Sequence, residues 1–196
     1  QTVIPELPAF VSAANLSIAQ DFSARYFNAT ATGGCYFWED YQPGERIDHP
    51  SGMTINDSDH SLATRLYQNN ARLHFDAHMM QSSSFGKRLV YGGIVISVCR
   101  TLSYEGLENA LGVLAINAGT HANPCFAGDT IYSYTEVLER WELPNRNDAG
   151  ALRLRMVGIK NATPAEISAM KPQDSYHPNV VLDLDYTVLM PRKGNV

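Results

Sequence analysis

At 196 residues, with 44% hydrophobic and 18% charged side chains, the chain is long enough for one domain with a sizeable buried core. A formal charge of -5 removes the basic footprint on which nucleic-acid binders rely, so no nucleic-acid partner is expected. No apolar run reaches the roughly 18 residues that a membrane helix needs, the densest stretch, Leu89 to Val98, being interrupted by Tyr91, Gly92 and Gly93, so no membrane partner is expected either.

Residues 1–34 carry Pro5, Pro8 and the small-residue tract Ala29 to Gly34, a composition that suits a linker or N-terminal wrapping arm better than a core element. The start at Gln1 fits a chain that is processed, split or trimmed, and the organised domain is expected over 35–196. It opens with Tyr36 to Tyr41, a turn at Pro43-Gly44 and an extended stretch toward Thr54-Ile55. Asn56 or Asp57 can accept the free N–H groups of a first turn and so start a short helix through Leu62 and Leu66. A polar turn with a second short helix from Asp76 is expected next, ending at Phe85-Gly86.

From Gly93 to about Tyr104, Ile94, Val95, Val98 and Leu102 recur at helical spacing, widened by Ile96 and Cys99, which predicts a nearly buried helix with Gly106 as its stop. Strand candidates follow at Val113 to Ala118, Thr130 to Leu138, Ala151 to Ile159 and Val181 to Leu189; the last alternates unevenly at Asp183 and Asp185 but is rich in strand formers. One buried helix followed by several antiparallel strands reads as α+β, a sheet wrapped around a helix.

Cys35, Cys99 and Cys125 are odd in number and widely spaced, with no Cys-x-x-Cys pair, so neither a disulfide framework nor a zinc knuckle is expected and a cytoplasmic location fits best. Asn-x-Ser/Thr triplets at Asn15, Asn28, Asn56 and Asn161 are short enough to arise by chance, and no signal peptide accompanies them.

Polar groups gather at Asn69, Asn70, Arg72, His74, Asp76 and His78, just before the Tyr91-Gly92-Gly93 turn that opens the buried helix. Hydration of a conjugated thioester needs a group of near-neutral pKa to take a proton from water and return one to carbon, which suits His74. It also needs donors for the thioester oxygen as enolate charge develops, and the N–H groups of Gly92 and Gly93 at a helix start supply them with the positive end of the helix dipole. On spacing alone, a surface histidine and a plain turn explain the same residues.

Several separated motifs in order narrow the choice. Leu66-Tyr67-Gln68-Asn69-Asn70-Ala71-Arg72-Leu73-His74-Phe75, Phe85 through Gly93, Ile116-Asn117-Ala118-Gly119, Asn123-Pro124 and Phe126-Ala127-Gly128-Asp129-Thr130-Ile131-Tyr132 resemble the MaoC-like hydratase family. Within it they are most like the C-terminal half of the mesaconyl-CoA hydratases, also called β-methylmalyl-CoA dehydratases, over nearly the whole chain from about Thr2 to Arg192. The resemblance implies a hot-dog fold and a hydro-lyase that interconverts mesaconyl-CoA and β-methylmalyl-CoA. It implies no cofactor, coenzyme A being part of the acyl-CoA substrate, and no metal. It further implies a homodimer or pairing with a second hot-dog unit, since such enzymes carry two units in one polypeptide. A hydratase for other 2-enoyl-CoA thioesters and a non-catalytic acyl-CoA-binding domain are the rival readings.

One position departs from the wider family, in which R-specific enoyl-CoA hydratases pair their histidine with an aspartate five residues earlier. Asn69 stands there, and an amide cannot accept a proton at neutral pH, so Asn69 is expected to orient water while His74 does the acid and base work. Asp76 is a possible substitute carboxylate. Arg72 stands where the wider family usually has proline, which nominates it, ahead of Arg65, to bind the free carboxylate of mesaconyl-CoA, while Tyr91 is expected to line the substrate site. An exposed loop arginine is the competing reading of Arg72. His49, His60 and His177 are expected at the surface, His121 is expected to be structural at a strand end, and the His74 and His78 pair lacks a convincing third metal ligand.

Overall fold

The structure, a computed structural model, describes residues 8–167 and 175–194. Strands β1 (Arg46–Thr54), β2 (Gly112–Thr120), β3 (Thr130–Glu142), β4 (Ala149–Lys160) and β5 (Val180–Pro191) form one antiparallel sheet in the order β1-β3-β4-β5-β2. The α+β expectation is met. All four strands anticipated after the helix are present, each extending beyond its expected bounds.

Alternation along β4 explains how the sheet takes sides. Leu152, Leu154 and Met156 face a core shared with Leu182, Leu184 and Tyr186 of β5, while Arg153 and Arg155 lie on the other face. The same geometry accounts for Asp183 and Asp185, which interrupt the apolar run of β5: Asp185 receives Arg153 at 2.5 Å and Asp183 receives Arg155 at 2.8 Å.

Against the apolar face lies helix α4 (Gly92–Leu102), with Val95, Val98, Cys99 and Leu102 buried in that core. Each such side chain contributes on the order of 1.5–3 kcal/mol of hydrophobic stabilisation. A Cβ at Gly158 of β4 would come within 2.7 Å of the Cys99 Sγ, so glycine permits this close approach of helix to sheet. The helix ends at Leu102, just before the expected Tyr104: past the Ser103 cap the Tyr104 and Glu105 N–H groups turn to the carbonyls three residues back, Thr101 and Leu102, and Gly106, at a φ of +100°, lies in the following turn.

The described part of the N-terminal segment packs against the sheet and carries a 3-10 turn at Ala13–Asn15 and the short helix α1 (Ala29–Thr32). Leu16, Ile18 and Phe22 pack with buried Ala24 against Leu143, Ala149, Ala151 and Leu189. The Ala24 N–H donates to Asp148 Oδ2 at 2.7 Å.

Helix α2 (Asp57–Leu66) starts at Asn56 with a reciprocal cap to Asp59, and α3 (Ala77–Met80) starts where Asp76 accepts the Met79 N–H, both as the side-chain chemistry predicts. Two histidines expected at the surface are instead buried. His49 on β1 contacts the Glu105 carbonyl at 2.7 Å and the Thr135 hydroxyl at 2.9 Å, which satisfies both ring nitrogens. His60 on α2 is fully enclosed, 3.4 Å from a carboxylate oxygen of Asp57. His177 is exposed.

Candidate active site

Three chain segments meet at the N-terminus of α4. The first is the turn Arg72–His74, which follows an Asx turn in which Asn69 Oδ1 accepts the Ala71 N–H at 2.9 Å. The second, Leu89 to Tyr91, is stitched to the first by the Leu89 N–H donating to the Leu73 carbonyl at 3.1 Å. The third, just past β2, is held because the Val90 N–H donates to the Cys125 carbonyl at 2.8 Å and the Ala122 N–H to the Val181 carbonyl at 3.2 Å.

Together they enclose a cavity of about 450 Å³ lined by His74, Tyr91, Gly92, Gly93, His121 and Asn123, with Leu89, Val90, Val95, Ile96, Cys125 and Val181 as its apolar wall. His74 Nδ1 lies 3.0 Å from the Leu89 carbonyl oxygen. A carbonyl only accepts, so Nδ1 carries the proton, and in the neutral ring Nε2 keeps its lone pair. Tyr91 meets the imidazole edge-on, with ring centroids 5.8 Å apart, and its backbone is the N-cap of α4. The N–H groups of Gly92 and Gly93 belong to the first turn, where a helix offers no internal acceptor.

Both glycines stand where a side chain approaches closely. A Cβ on Gly92 would lie 2.4 Å from His121 Nε2, and one on Gly93 would lie 2.7 Å from the Tyr91 ring.

The cavity therefore joins four of the residues nominated from sequence: His74, Tyr91, Gly92 and Gly93. Asn69 and Arg72 are not among its lining residues. Asn69 is engaged in its Asx turn, and Arg72, its side chain 64% exposed, is paired with Asp76 at 2.6 Å. The Asp76 carboxylate is occupied twice, by the Met79 N–H and by Arg72, and those two contacts hold it below its ordinary pKa.

His121, read from sequence as a structural group, stands on the cavity wall against the first residue of α4. Desolvation, and then the neighbouring His74, hold its imidazole below the ordinary value, while a hydrogen bond to the Val181 backbone opposes them. The glycine at position 92 was the available signal, since it marks a place where something must touch the helix start, but sequence does not say what. Burial, the largest influence, pushes the Cys125 thiol up to about 12, which removes it as a nucleophile at neutral pH. No Asp or Glu is among the described lining residues, while His74 and His121 place two imidazoles there.

No family model matches the chain. Two curated relatives do. It is 48% identical over 194 residues to the β-methylmalyl-CoA dehydratase of Chloroflexus aurantiacus, covering 99% of this chain and 55% of that protein. It is 47% identical over 189 residues to the mesaconyl-CoA hydratase of Cereibacter sphaeroides, covering 96% of this chain and 54% of that protein. Among solved structures, a MaoC domain protein dehydratase from Chloroflexus aurantiacus superposes with a TM-score of 0.92 at 48% identity, over 99% of this chain and 55% of the other.

Over nearly its whole length the chain is similar to one part of these MaoC-type hydratases and dehydratases. A Mycobacterium tuberculosis protein described as a double hotdog fold shares the architecture alone, with a TM-score of 0.65 at 21% identity over 82% of this chain and 46% of that one. The wrapped sheet of this MaoC-like chain is accordingly the hot-dog fold, with α4 as its central helix. The chain spans about half the length of the curated relatives it matches.

Proposed function

We propose that this MaoC-like chain is the catalytic hot-dog unit of a hydro-lyase that reversibly adds water to mesaconyl-CoA to give β-methylmalyl-CoA. The observation that carries the reading is the pinned imidazole: Leu89 holds His74 in the Nδ1-protonated tautomer beside two helix-start glycines.

In the hydration direction, His74 Nε2 takes a proton from water as the water oxygen attacks the β-carbon of the conjugated thioester. Electron density moves to the thioester oxygen, where the Gly92 and Gly93 N–H groups and the dipole of α4 receive the enolate charge. The enolate collapses as the α-carbon takes a proton from the imidazolium, which restores neutral His74. Asn69, whose oxygen accepts the Ala71 N–H, lies outside the lining of the cavity and takes no part in these steps. The sequence of steps consumes one water and needs no redox or cofactor chemistry.

Substrate enclosure calls for a second hot-dog unit. Leu62, Leu66 and Tyr67 of α2 and its C-terminal edge are exposed, and they border a second cavity that shares Tyr91 and Gly93 with the first. Pairing across this surface would cover apolar area that water otherwise meets. Among the described residues no helix is long and apolar enough to cross a membrane.

The direct test is to mix the purified protein with mesaconyl-CoA and follow the absorbance of the conjugated thioester. Loss of that absorbance with formation of β-methylmalyl-CoA is the expected result. Binding without turnover would instead make this an acyl-CoA-binding domain, and turnover confined to crotonyl-CoA would move the substrate to unbranched 2-enoyl thioesters.

A further inference from the structure

We infer that His121 binds the free carboxylate of a dicarboxylic enoyl-CoA and thereby selects short diacid thioesters such as mesaconyl-CoA over their monoacid counterparts, an inference that rests on the hydratase reading above. The argument begins with charge. Mesaconyl-CoA keeps one ionised carboxylate after the other is taken up as thioester, and burying that anion without a cation or strong donor is costly. Among the described residues lining the cavity, only His74 and His121 can carry positive charge. His74 is assigned to proton transfer and has one nitrogen tied to Leu89. Both amide hydrogens of Asn123 are spent on the carbonyls of His177 and Val180, at 3.0 Å and 2.8 Å. Arg72 is paired to Asp76 outside the lining.

Covalent geometry sets where the carboxylate must go. In the mesaconyl group the free carboxylate is bonded to the β-carbon, the atom that water attacks. The group that reads it must therefore stand next to the base, not at the far end of the acyl cavity. His121 meets that condition: it shares the cavity with His74 and packs against Gly92 at the helix start, and because burial holds its free imidazole below the ordinary value, it takes up a proton together with the carboxylate. The start of α4 adds its own positive end to the same region. A monoacid such as crotonyl-CoA has a methyl group at that position and gains nothing from the imidazole.

His121→Gln keeps a donor of similar reach and removes the charge. Dissociation constants for mesaconyl-CoA and crotonyl-CoA, and the turnover of each, are measured for parent and variant in the full chain at one pH near 6.5. The expected result is that His121→Gln weakens mesaconyl-CoA binding at least tenfold relative to crotonyl-CoA, and that His121→Lys recovers part of the difference. An unchanged ratio overturns the inference while leaving the hydratase reading intact. Loss of kcat on both thioesters alike, with unchanged dissociation constants, also overturns it, because His121 would then move protons. Failure of the parent protein to bind either thioester defeats both the inference and the reading beneath it.

Discussion

His74 is bound to Leu89 beside the cavity, its ring Nδ1 3.0 Å from the Leu89 carbonyl, and the Leu89 N–H in turn reaches the carbonyl of Leu73, the residue before the histidine. The imidazole is thus fixed in tautomer and in direction by main-chain groups, which no side-chain substitution at position 89 removes. Replacing His74 with Ala deletes the only imidazole assigned to proton transfer, and general acid and base catalysis is worth roughly 100- to 10,000-fold in rate. Turnover of mesaconyl-CoA should fall by that factor with the melting temperature little changed, since the ring is only part-buried. A rate within a few-fold of the parent would remove His74 from the mechanism.

Gly92→Ala separates helix stability from site geometry. Alanine in a helix is favoured over glycine by about 1 kcal/mol, and the new methyl would collide with the movable end of a histidine side chain, not with backbone. Chemical denaturation should show a stability equal to or slightly above the parent. Activity on mesaconyl-CoA should nevertheless drop about tenfold or more, because a 1 Å displacement in an active site can cost about a hundredfold. Gly112→Ala, where nothing lies within 4 Å of the added carbon, is the matched control and should retain full activity.

Arg72→Met tests the cation that the sequence nominated for the substrate carboxylate. Its guanidinium is mostly solvent-exposed and already bound to Asp76, and exposed pairs of this kind are worth about 0.2–1 kcal/mol. Catalytic efficiency on mesaconyl-CoA should stay within about twofold of the parent, in line with an interaction of that size. A tenfold loss specific to the diacid would return the role to Arg72 and take it from His121.

The contrast between these two residues shows what the sequence could and could not convey. Periodicity located α4, since Val95, Val98, Cys99 and Leu102 must share one face to be buried, and cap chemistry located α2 and α3 at Asn56 and Asp76. Motif order located His74, Tyr91, Gly92 and Gly93. Local patterns carry no information about which distant segment a strand end will meet, and His121 reaches Gly92 only because β2 pairs with β5 and delivers its end to the helix start. Arg72 drew attention by its departure from the family pattern, whereas its i,i+4 neighbour Asp76 already supplied a partner. His49 and His60 were misplaced for a related reason: a histidine in a polar stretch shows nothing of the strand or helix that will cover it.

Those two buried imidazoles, together with Asp148, give the fold a stepped response to acid. Burial holds His49 and His60 below the ordinary value of 6.5, with the Arg88 charge adding to the effect at His60. The unfolded chain therefore binds protons at pH values where the folded chain does not, so stability is steady above 6.5 and declines as pH falls through 6.5 toward the lowered values. A second decline belongs to Asp148, whose carboxyl is held at about 2 against an ordinary 3.8, first by its hydrogen bond to Arg146 and then, against desolvation, by the Ala24 N–H. Its contribution is fully present above 3.8 and lost as pH falls toward 2, and a shift of that size corresponds to about 2 kcal/mol. Asp148→Asn should accordingly lower the unfolding free energy by about that amount at pH 7, and by progressively less below pH 3.8. Since Asp148 also ties down the arm at Ala24, amide exchange over residues 16–24 should quicken in the variant while exchange in β4 and β5 is spared. Equal losses at pH 7 and pH 2.5 would show that the aspartate acts through packing and not through its charge.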